Sequence, residues 1–178
     1  MLSLKRRCQK IKLFAMDIDG VMTEGSMILN SNGEDIKIFN VKDGVGIELL
    51  HHSGIKTAII TRELSKIVTI RAQKLKINYV YQGINNKLAA FNDLSNKNNL
   101  KYEEMAYIGD DLPDIPILNV AGLSICVKDS IPEAKKISHY ITKKNGGQGA
   151  IRETVNLILE SQGKLTSTIN SYLSSFKE

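Results

Sequence analysis

The chain alternates between short apolar runs and segments in which apolar residues recur every three or four positions. The short runs predict buried strands, and the second kind of spacing predicts amphipathic helices. The predicted strands cover residues 13–16, 56–60, 79–81, 105–108, 123–127 and 140–141, and the predicted helices cover 43–52, 64–75, 87–96, 113–120, 132–137 and 150–161. This alternation indicates an α/β domain with a Rossmann-like parallel sheet and helices on both faces.

One segment departs from the alternation of strands and helices. Two apolar runs, Met27–Leu29 and Ile36–Phe39, flank the turn-forming sequence Ser31-Asn32-Gly33. Runs of this kind on either side of a glycine-containing turn predict a β-hairpin that projects from the sheet.

The length of 178 residues allows one well-buried domain and is short for two. We expect the domain to cover residues 12–162, with a basic N-terminal arm at 1–11 and a flexible Ser/Thr/Lys-rich tail at 163–178. No apolar run approaches a membrane span, and the N-terminus lacks the apolar core of a signal peptide. The two cysteines, Cys8 and Cys126, are far apart, which fits a reducing cytoplasm.

The net charge of +5 comes in part from a basic cluster near the N-terminus. The cluster lacks interleaved aromatic residues and any recognised nucleic-acid-binding motif, so we expect no nucleic-acid partner. A positive field would instead suit a small anionic substrate.

Polar side chains follow three of the predicted strands. Asp17 and Asp19 follow the first, Thr61 follows the second, and Asp110 and Asp111 follow the fourth. The carboxyl ends of parallel strands meet at one edge of a sheet, so these side chains should converge there. Two further residues should lie within reach, Asp114 one helical turn later and Lys87 at the start of a helix.

This set of side chains has a definite chemistry. Several carboxylates at one edge call for a hard cation, and oxygen ligands suit Mg²⁺. One lysine and one hydroxyl near the cation suit a phosphoryl group. A carboxylate can attack phosphorus to form an aspartyl-phosphate, and a second carboxylate can act as acid and then as base.

These residues resemble the motifs of the haloacid dehalogenase superfamily of phosphatases. The four motifs are Asp17-Ile-Asp19-Gly-Val-Met-Thr23, Ile59-Ile60-Thr61, Lys87, and Gly109-Asp110-Asp111-Leu-Pro-Asp114. The resemblance narrows to the 3-deoxy-D-manno-octulosonate 8-phosphate phosphatases through Phe39–Ile47, Tyr81-Gln82-Gly83, Gly122-Leu123-Ser124, Gly146–Glu153 and Gln162–Leu165. It extends from about Lys12 to Leu165.

The resemblance implies a role for each matched residue. Asp17 would be the nucleophile, and Asp19 the acid and base. The metal ligands would be Asp17, Asp19 through its backbone carbonyl, and Asp110, with Asp111 and Asp114 in support. The substrate-binding residues would be Asp19, Asn40, Val41, Lys42, Asp43, Gly44, Thr61, Arg71 and Lys87.

Many superfamily members carry a cap domain between the first and second motifs. Residues 20–60 here are taken up by one hairpin, one helix and one strand, which makes the protein capless. The resemblance implies that a homotetramer replaces the cap. In the family, hairpins pair between subunits and a neighbour's C-terminal segment helps to close the site.

Two positions depart from the family pattern. The second motif usually reads Thr-Gly-Arg but here reads Thr61-Arg62-Glu63, and Glu48 stands where the family tends to carry a basic residue. Both changes place a carboxylate where an anionic sugar acid would meet a cation. We therefore expect working phosphoryl-transfer chemistry with weakened or altered substrate recognition.

Three alternatives to this activity stay open. A phosphatase of the same fold could act on another sugar-acid phosphate, such as an acylneuraminate 9-phosphate. A signalling receiver domain also forms an aspartyl-phosphate, but its acidic pair is not spaced as Asp17 and Asp19 are. A drifted family member with impaired activity would also fit Glu48 and Glu63.

Overall fold

The computed structural model describes residues 2–31 and 33–176 and confirms the α/β fold. The strands are β1 (Leu13–Met16), β2 (Ile28–Asn30), β3 (Gly33–Ile36), β4 (Lys56–Ile60), β5 (Tyr79–Tyr81), β6 (Met105–Gly109), β7 (Leu123–Cys126) and β8 (Tyr140–Ile141). The helices are α1 (Leu4–Lys10), α2 (Val41–His52), α3 (Lys66–Lys74), α4 (Lys87–Asn98), α5 (Ile115–Leu118), α6 (Pro132–Ile137), α7 (Ala150–Ser161) and α8 (Leu165–Ser174), with 3₁₀ turns at Tyr102–Glu104 and Leu112–Asp114.

Six strands form one parallel sheet in the order β5-β4-β1-β6-β7-β8. The first strand is central and pairs with β4 on one side and β6 on the other. Adjacent parallel strands present their carboxyl ends at the same edge. The residues that follow β1, β4 and β6 are therefore neighbours.

Alternating side chains of β1 divide the core into two halves. Phe14 and Met16 join the half formed with α1, α2, α3 and α7, whereas Leu13 and Ala15 join the half formed with α4, α5 and α6. Successive residues of a strand point to opposite faces, so a four-residue apolar run is needed where both faces are covered. This explains why β1 is fully buried.

The hairpin forms a separate antiparallel sheet of β2 and β3. Its second strand, Gly33–Ile36, begins three residues earlier than the predicted run Ile36–Phe39. The middle of the predicted turn, Asn32, lies outside the described residues. Apolar side chains on this arm are exposed, namely Met27, Ile28, Leu29, Ile36 and Ile38.

The N-terminal segment differs from the predicted solvated arm at 1–11. Residues 4–10 form α1, which is capped by Ser3 and packs against α7. Cys8 is buried, and Arg7 donates a 2.7 Å hydrogen bond to the carbonyl of Gly122. The apolar positions of this segment are few, and its cationic residues obscure their helical spacing.

The C-terminal segment also differs from the predicted flexible tail at 163–178, because residues 165–174 form α8. This helix packs against α2 and buries Thr168. Its partly buried apolar residues, Leu165, Ile169 and Tyr172, recur at helical spacing within a Ser/Thr-rich composition. Composition therefore predicted a tail where the spacing would have predicted a helix.

Among the described residues, no helix has both the length and the apolar character that crossing a bilayer requires.

Candidate active site

The predicted polar residues meet in one cleft of about 300 Å³ at the carboxyl edge of the sheet. Asp17 and Asp19 come from the turn after β1, Thr61 from the end of β4, and Asp110 from the end of β6. The cleft is lined by Asp17, Asp19, Met27, Thr61, Arg62, Glu63, Lys87, Asp110, Asp111 and Pro113. The sheet order thus brings together residues that lie up to 96 positions apart, from Asp17 to Pro113.

Lys87, the first residue of α4, lies between two carboxylates. Its ammonium is 2.8 Å from Asp17 Oδ2 and 2.7 Å from Asp114 Oδ1, and the lysine side chain is almost fully buried. Burial by itself disfavours the ammonium, but the charges of Asp17 and Asp114 outweigh it and raise the pKa of Lys87. The side chain is therefore a fixed cation next to Asp17.

Asp114 organises the floor of the cleft. Its Oδ1 accepts hydrogen bonds from Lys87 and from the hydroxyl of Tyr107, at 2.7 and 2.6 Å. Its Oδ2 accepts from the backbone amides of Asp110 and Asp111, at 2.9 and 3.3 Å. Both oxygens of Asp114 are thus occupied by donors.

Asp17 and Asp110 carry the features of cation ligands. One carboxylate oxygen from each of Asp17, Asp110 and Asp114 lies within 4.8 Å of the others. Asp17 Oδ1 is buried without a hydrogen-bond partner. Burial, together with the neighbouring carboxylates, raises the pKa of Asp17 to about 7 and that of Asp110 to about 8. A divalent cation would relieve this repulsion, and an all-oxygen donor set fits Mg²⁺.

Two glycines allow the carboxylates to approach so closely. A Cβ on Gly20, whose φ is +83°, would lie 2.1 Å from Asp110 Oδ2. A Cβ on Gly109 would lie 2.5 Å from the side chain of Asp114. Any side chain at either position would displace the acidic cluster, and Gly20 also needs the left-handed backbone that glycine tolerates.

The side chain of Asp19 is not part of the cluster formed by Asp17, Asp110 and Asp114. Its Oδ1 lies 2.5 Å from the ammonium of Lys37, which follows β3 at the base of the hairpin. The sequence reasoning missed Lys37, because a lysine between two isoleucines in a strand-like run gives no signal of burial. The two acids of the first motif therefore have separate cationic partners, Lys87 for Asp17 and Lys37 for Asp19.

The residues predicted at the start of α2 do not line the cleft. Asn40 caps α2 by accepting from the amide of Lys42, and Asp43 is buried with Oδ1 accepting from the amide of Arg152 at 2.8 Å. Val41 and Lys42 are exposed. Within this structure the segment joins α2 to α7.

Arg71 and Gly44 form a neighbouring cluster. The Arg71 guanidinium lies over the ring of Phe39 and is 3.4 Å from the carbonyl of Asn40, and its Nε has no hydrogen-bond partner. Gly44 packs against it closely enough that a Cβ would lie 2.8 Å from Nη2. Arg71 is thus a half-buried cation with unused hydrogen-bonding capacity.

The loop that contains Gly147 joins this region to the cleft. The amide of Gly147 donates a 2.9 Å hydrogen bond to the carbonyl of Val21, and its own carbonyl accepts from Asn40 Nδ2 at 3.3 Å. The start of α2 is therefore tied to the turn after β1 by one short loop.

The two carboxylates that depart from the family pattern lie in different places. Glu63 is exposed and lines the cleft. Glu48 lines a separate pocket of about 410 Å³ beside α8, together with Tyr172. Of these two carboxylates, Glu63 is therefore the one that can act directly on a ligand in the cleft.

Comparison with known proteins agrees with this geometry. A family model described as haloacid dehalogenase-like hydrolase matches residues 34–153. The chain is 43% identical over 159 residues to the 3-deoxy-D-manno-octulosonate 8-phosphate phosphatase KdsC of Escherichia coli K12, covering 89% of this chain and 85% of that protein.

Solved structures of similar proteins superpose closely. The 3-deoxy-D-manno-octulosonate 8-phosphate phosphatase of Moraxella catarrhalis, solved with a magnesium ion, a phosphate ion and KDO, has a TM-score of 0.91 and 41% identity, with 95% of this chain and 97% of that chain covered. The cobalt-bound phosphatase of Haemophilus influenzae has a TM-score of 0.89 and 35% identity, with 94% and 99% covered.

Proposed function

This chain belongs to the haloacid dehalogenase-like hydrolases, and we propose that it hydrolyses 3-deoxy-D-manno-octulosonate 8-phosphate to the free sugar acid and phosphate. The product would feed lipopolysaccharide synthesis. One observation carries the proposal: Asp17 has a fixed ammonium on one oxygen and an unpartnered buried oxygen on the other, beside Asp110. Such a carboxylate is suited to attack a phosphoryl group whose charge is neutralised.

The reaction proceeds in two steps in this proposal. Asp17 attacks phosphorus, the bond from phosphorus to the sugar oxygen breaks, and Asp19 gives its proton to that oxygen. Asp19 then takes a proton from water, the water oxygen attacks the aspartyl-phosphate, and phosphate leaves as Asp17 regains its carboxylate. Lys87 and Thr61, both buried at the cleft, hold the phosphoryl oxygens.

Mg²⁺ is the cofactor of this reaction, and Asp17, Asp110 and the backbone carbonyl of Asp19 would hold it. A bound Mg²⁺ neutralises charge on the phosphoryl oxygens and on the carboxylates. Asp114 contributes through the amides of Asp110 and Asp111, which it fixes by hydrogen bonds.

The cleft is open to water, and a homotetramer is our proposal for closing it. The exposed apolar side chains of the hairpin, including Leu29 and Ile38, would be covered by a neighbouring hairpin. The C-terminal helix α8 packs on α2 of its own chain, so closure by that segment would require it to leave this position. Static light scattering tests the assembly, and a monomer at micromolar concentration would contradict it.

Glu63 supports a second candidate substrate. A carboxylate in the cleft disfavours the family's usual placement of an anionic sugar acid, so another sugar-acid phosphate, such as an acylneuraminate 9-phosphate, is the second candidate. Asn40, Val41, Lys42, Asp43, Gly44 and Arg71 lie outside this cleft, so their proposed contact with the sugar would need the sugar to extend beyond the cleft to the start of α2. Both cysteines are free and buried, which supports the proposed cytoplasmic location.

A phosphate-release assay tests the proposed function. Purified protein would be given 3-deoxy-D-manno-octulosonate 8-phosphate, an acylneuraminate 9-phosphate and simple hexose phosphates, each with Mg²⁺ and with EDTA. We expect many turnovers per chain on the first substrate, only with Mg²⁺, and none for Asp17→Asn. Full activity of Asp17→Asn would overturn the proposal, and a preference for the second substrate would identify the alternative.

A further inference from the structure

Lys37 is buried where its sequence neighbours are exposed. Its side chain is 0% exposed, whereas Ile36 and Ile38 on either side are 46% and 62% exposed. Successive residues of an extended segment point to opposite sides, so the cation faces inward and the apolar residues face outward. Lysine is rarely buried in this way unless it is paired. Burying an ammonium while exposing two isoleucines costs free energy, so this arrangement needs a specific reason.

Lys37 pairs with the residue proposed as acid and base. The ammonium lies 2.5 Å from Asp19 Oδ1, and the Asp19 side chain is 24% exposed at the cleft. A charge-assisted contact to one oxygen restricts rotation of the carboxylate and leaves the second oxygen available.

We propose that Lys37 is a positioning residue, which holds Oδ1 of Asp19 so that Oδ2 meets the leaving oxygen of the substrate. The inference rests on the proposed phosphatase activity. Lys37 does not touch the substrate, so its contribution is to keep Asp19 in one productive orientation. Without it, Asp19 could rotate toward the cations that line the cleft, which are Arg62 and Lys87, and Lys87 already pairs with Asp17.

A purely structural role makes different predictions. An inward-pointing lysine can also anchor a hairpin or keep an edge strand from pairing incorrectly. Loss of such an anchor would change assembly or stability and would affect all substrates alike. Loss of a positioning contact would act only through Asp19 and most strongly where the leaving group needs a proton.

The test compares four proteins, the wild type, Lys37→Met, Asp19→Asn and the double variant, on two substrates. One substrate is 3-deoxy-D-manno-octulosonate 8-phosphate, whose leaving alkoxide needs a proton, and the other is p-nitrophenyl phosphate, whose leaving group does not. General acid catalysis contributes about 10²–10⁴-fold, so a misplaced acid should lower kcat on the sugar phosphate at least about tenfold with little change in KM. On p-nitrophenyl phosphate, the pre-steady-state release of p-nitrophenol reports the first step alone, and its loss should be clearly smaller. The second step needs Asp19 as base for both substrates.

Two comparisons complete the test. In the Asp19→Asn background, Lys37→Met should cause no further loss, because the contact it removes no longer has its catalytic partner. Lys37→Arg should recover part of the activity that Lys37→Met loses. The control variant Lys10→Met removes an exposed ion pair with Glu103 and should behave as the wild type. Light scattering and thermal unfolding of each variant report assembly and stability separately.

Equal losses in the pre-steady-state rate of leaving-group release from the two substrates, or losses of Lys37→Met and Asp19→Asn that multiply in the double variant, would overturn this inference. An active wild type with an equally active Lys37→Met would do the same and would leave the proposed function intact. A wild type that releases phosphate from neither substrate would overturn the proposed function itself, and this inference with it.

Discussion

The hydroxyl of Tyr107 donates a 2.6 Å hydrogen bond to Oδ1 of Asp114, and both side chains are fully buried under the cleft. Burial, together with the neighbouring carboxylates, keeps the pKa of Tyr107 well above its ordinary value, so the phenol stays a donor. The acidic cluster is thus supported from below by a residue of β6 that never reaches the substrate.

Tyr107→Phe should therefore lower stability more than activity. The change removes one donor from a buried carboxylate that keeps its contacts to Lys87 and to two amides. We expect the free energy of unfolding to fall by about 1–3 kcal/mol, measured by chemical denaturation. Tyr102→Phe is the matched control, since the Tyr102 hydroxyl bonds to the exposed side chain of Asn92. Equal stability of the two variants would contradict the claim that the Tyr107 hydroxyl stabilises the buried Asp114 carboxylate.

Lys87→Met should remove both activity and stability. It leaves Asp17 and Asp114 buried without their shared cation, and breaking a buried pair costs about 3–5 kcal/mol. We expect kcat to fall by at least about a hundredfold, because a cation that stabilises the transition state is lost. Lys97→Met on the same helix removes an exposed pair with Asp93 and contacts to Tyr81, all outside the cleft, and should leave kcat unchanged. A Lys87→Met protein with wild-type kcat would show that Lys87 does not act in catalysis.

The metal-free protein should become less stable as the pH rises from about 4 to 8. The pKa of Asp17 is raised from 3.8 to about 7 and that of Asp110 from 3.8 to about 8, so the folded chain holds more protons than the unfolded chain in this range. Stability then falls with pH, because the unfolded state binds fewer protons. Saturating Mg²⁺ should reduce this fall, because the cation stabilises the ionised carboxylates.

Thermal unfolding at pH 5 and pH 8, with EDTA and with Mg²⁺, measures this effect. Burial lowers the pKa of His51 and of His139, which works in the opposite direction, toward greater stability above pH 6.5. The histidines contribute equally in EDTA and in Mg²⁺, so comparing the two conditions removes their contribution. In EDTA, Asp110→Asn should make thermal stability less dependent on pH. A pH profile that is the same with and without Mg²⁺ would argue against a metal at Asp17 and Asp110.

Glu63→Arg should change substrate affinity, whereas Glu48→Arg should not change it directly. Glu63 lines the cleft, and Glu48 lies in the pocket beside α8 with Tyr172. Reversing an exposed charge near an anionic sugar acid is worth about 1 kcal/mol or slightly more, which corresponds to about five- to tenfold in KM. Steady-state kinetics on the sugar-phosphate panel measure it. An unchanged KM for Glu63→Arg would mean that Glu63 does not meet the substrate.

Most of the sheet and three polar positions at its carboxyl edge follow from the sequence pattern. The predicted strand at 56–60 and the predicted helices at 132–137 and 150–161 match β4, α6 and α7 residue for residue. Short-range periodicity and glycine placement decide such elements, and both can be read from neighbouring residues. Because the strands are parallel, their order along the chain also predicts that Asp17, Thr61 and Asp110 share an edge.

Other features depend on contacts between distant parts of the chain. Helices α1 and α8 are held by packing against α7 and α2, so their polar compositions indicated an arm and a tail instead. The burial of Asp43 under α7 likewise depends on a contact 109 residues away, to Arg152. Tertiary packing overrides local propensity in such segments.

The sequence by itself determined the α/β fold, the strand ends and the residue types that gather at the cleft, because these follow from periodicity and from the handedness of parallel crossovers. Only the tertiary structure decided how the charges pair: Lys87 with Asp17 and Lys37 with Asp19. A carboxylate's partner is set by which side chains lie within about 3–4 Å after packing, and no local pattern contains that distance.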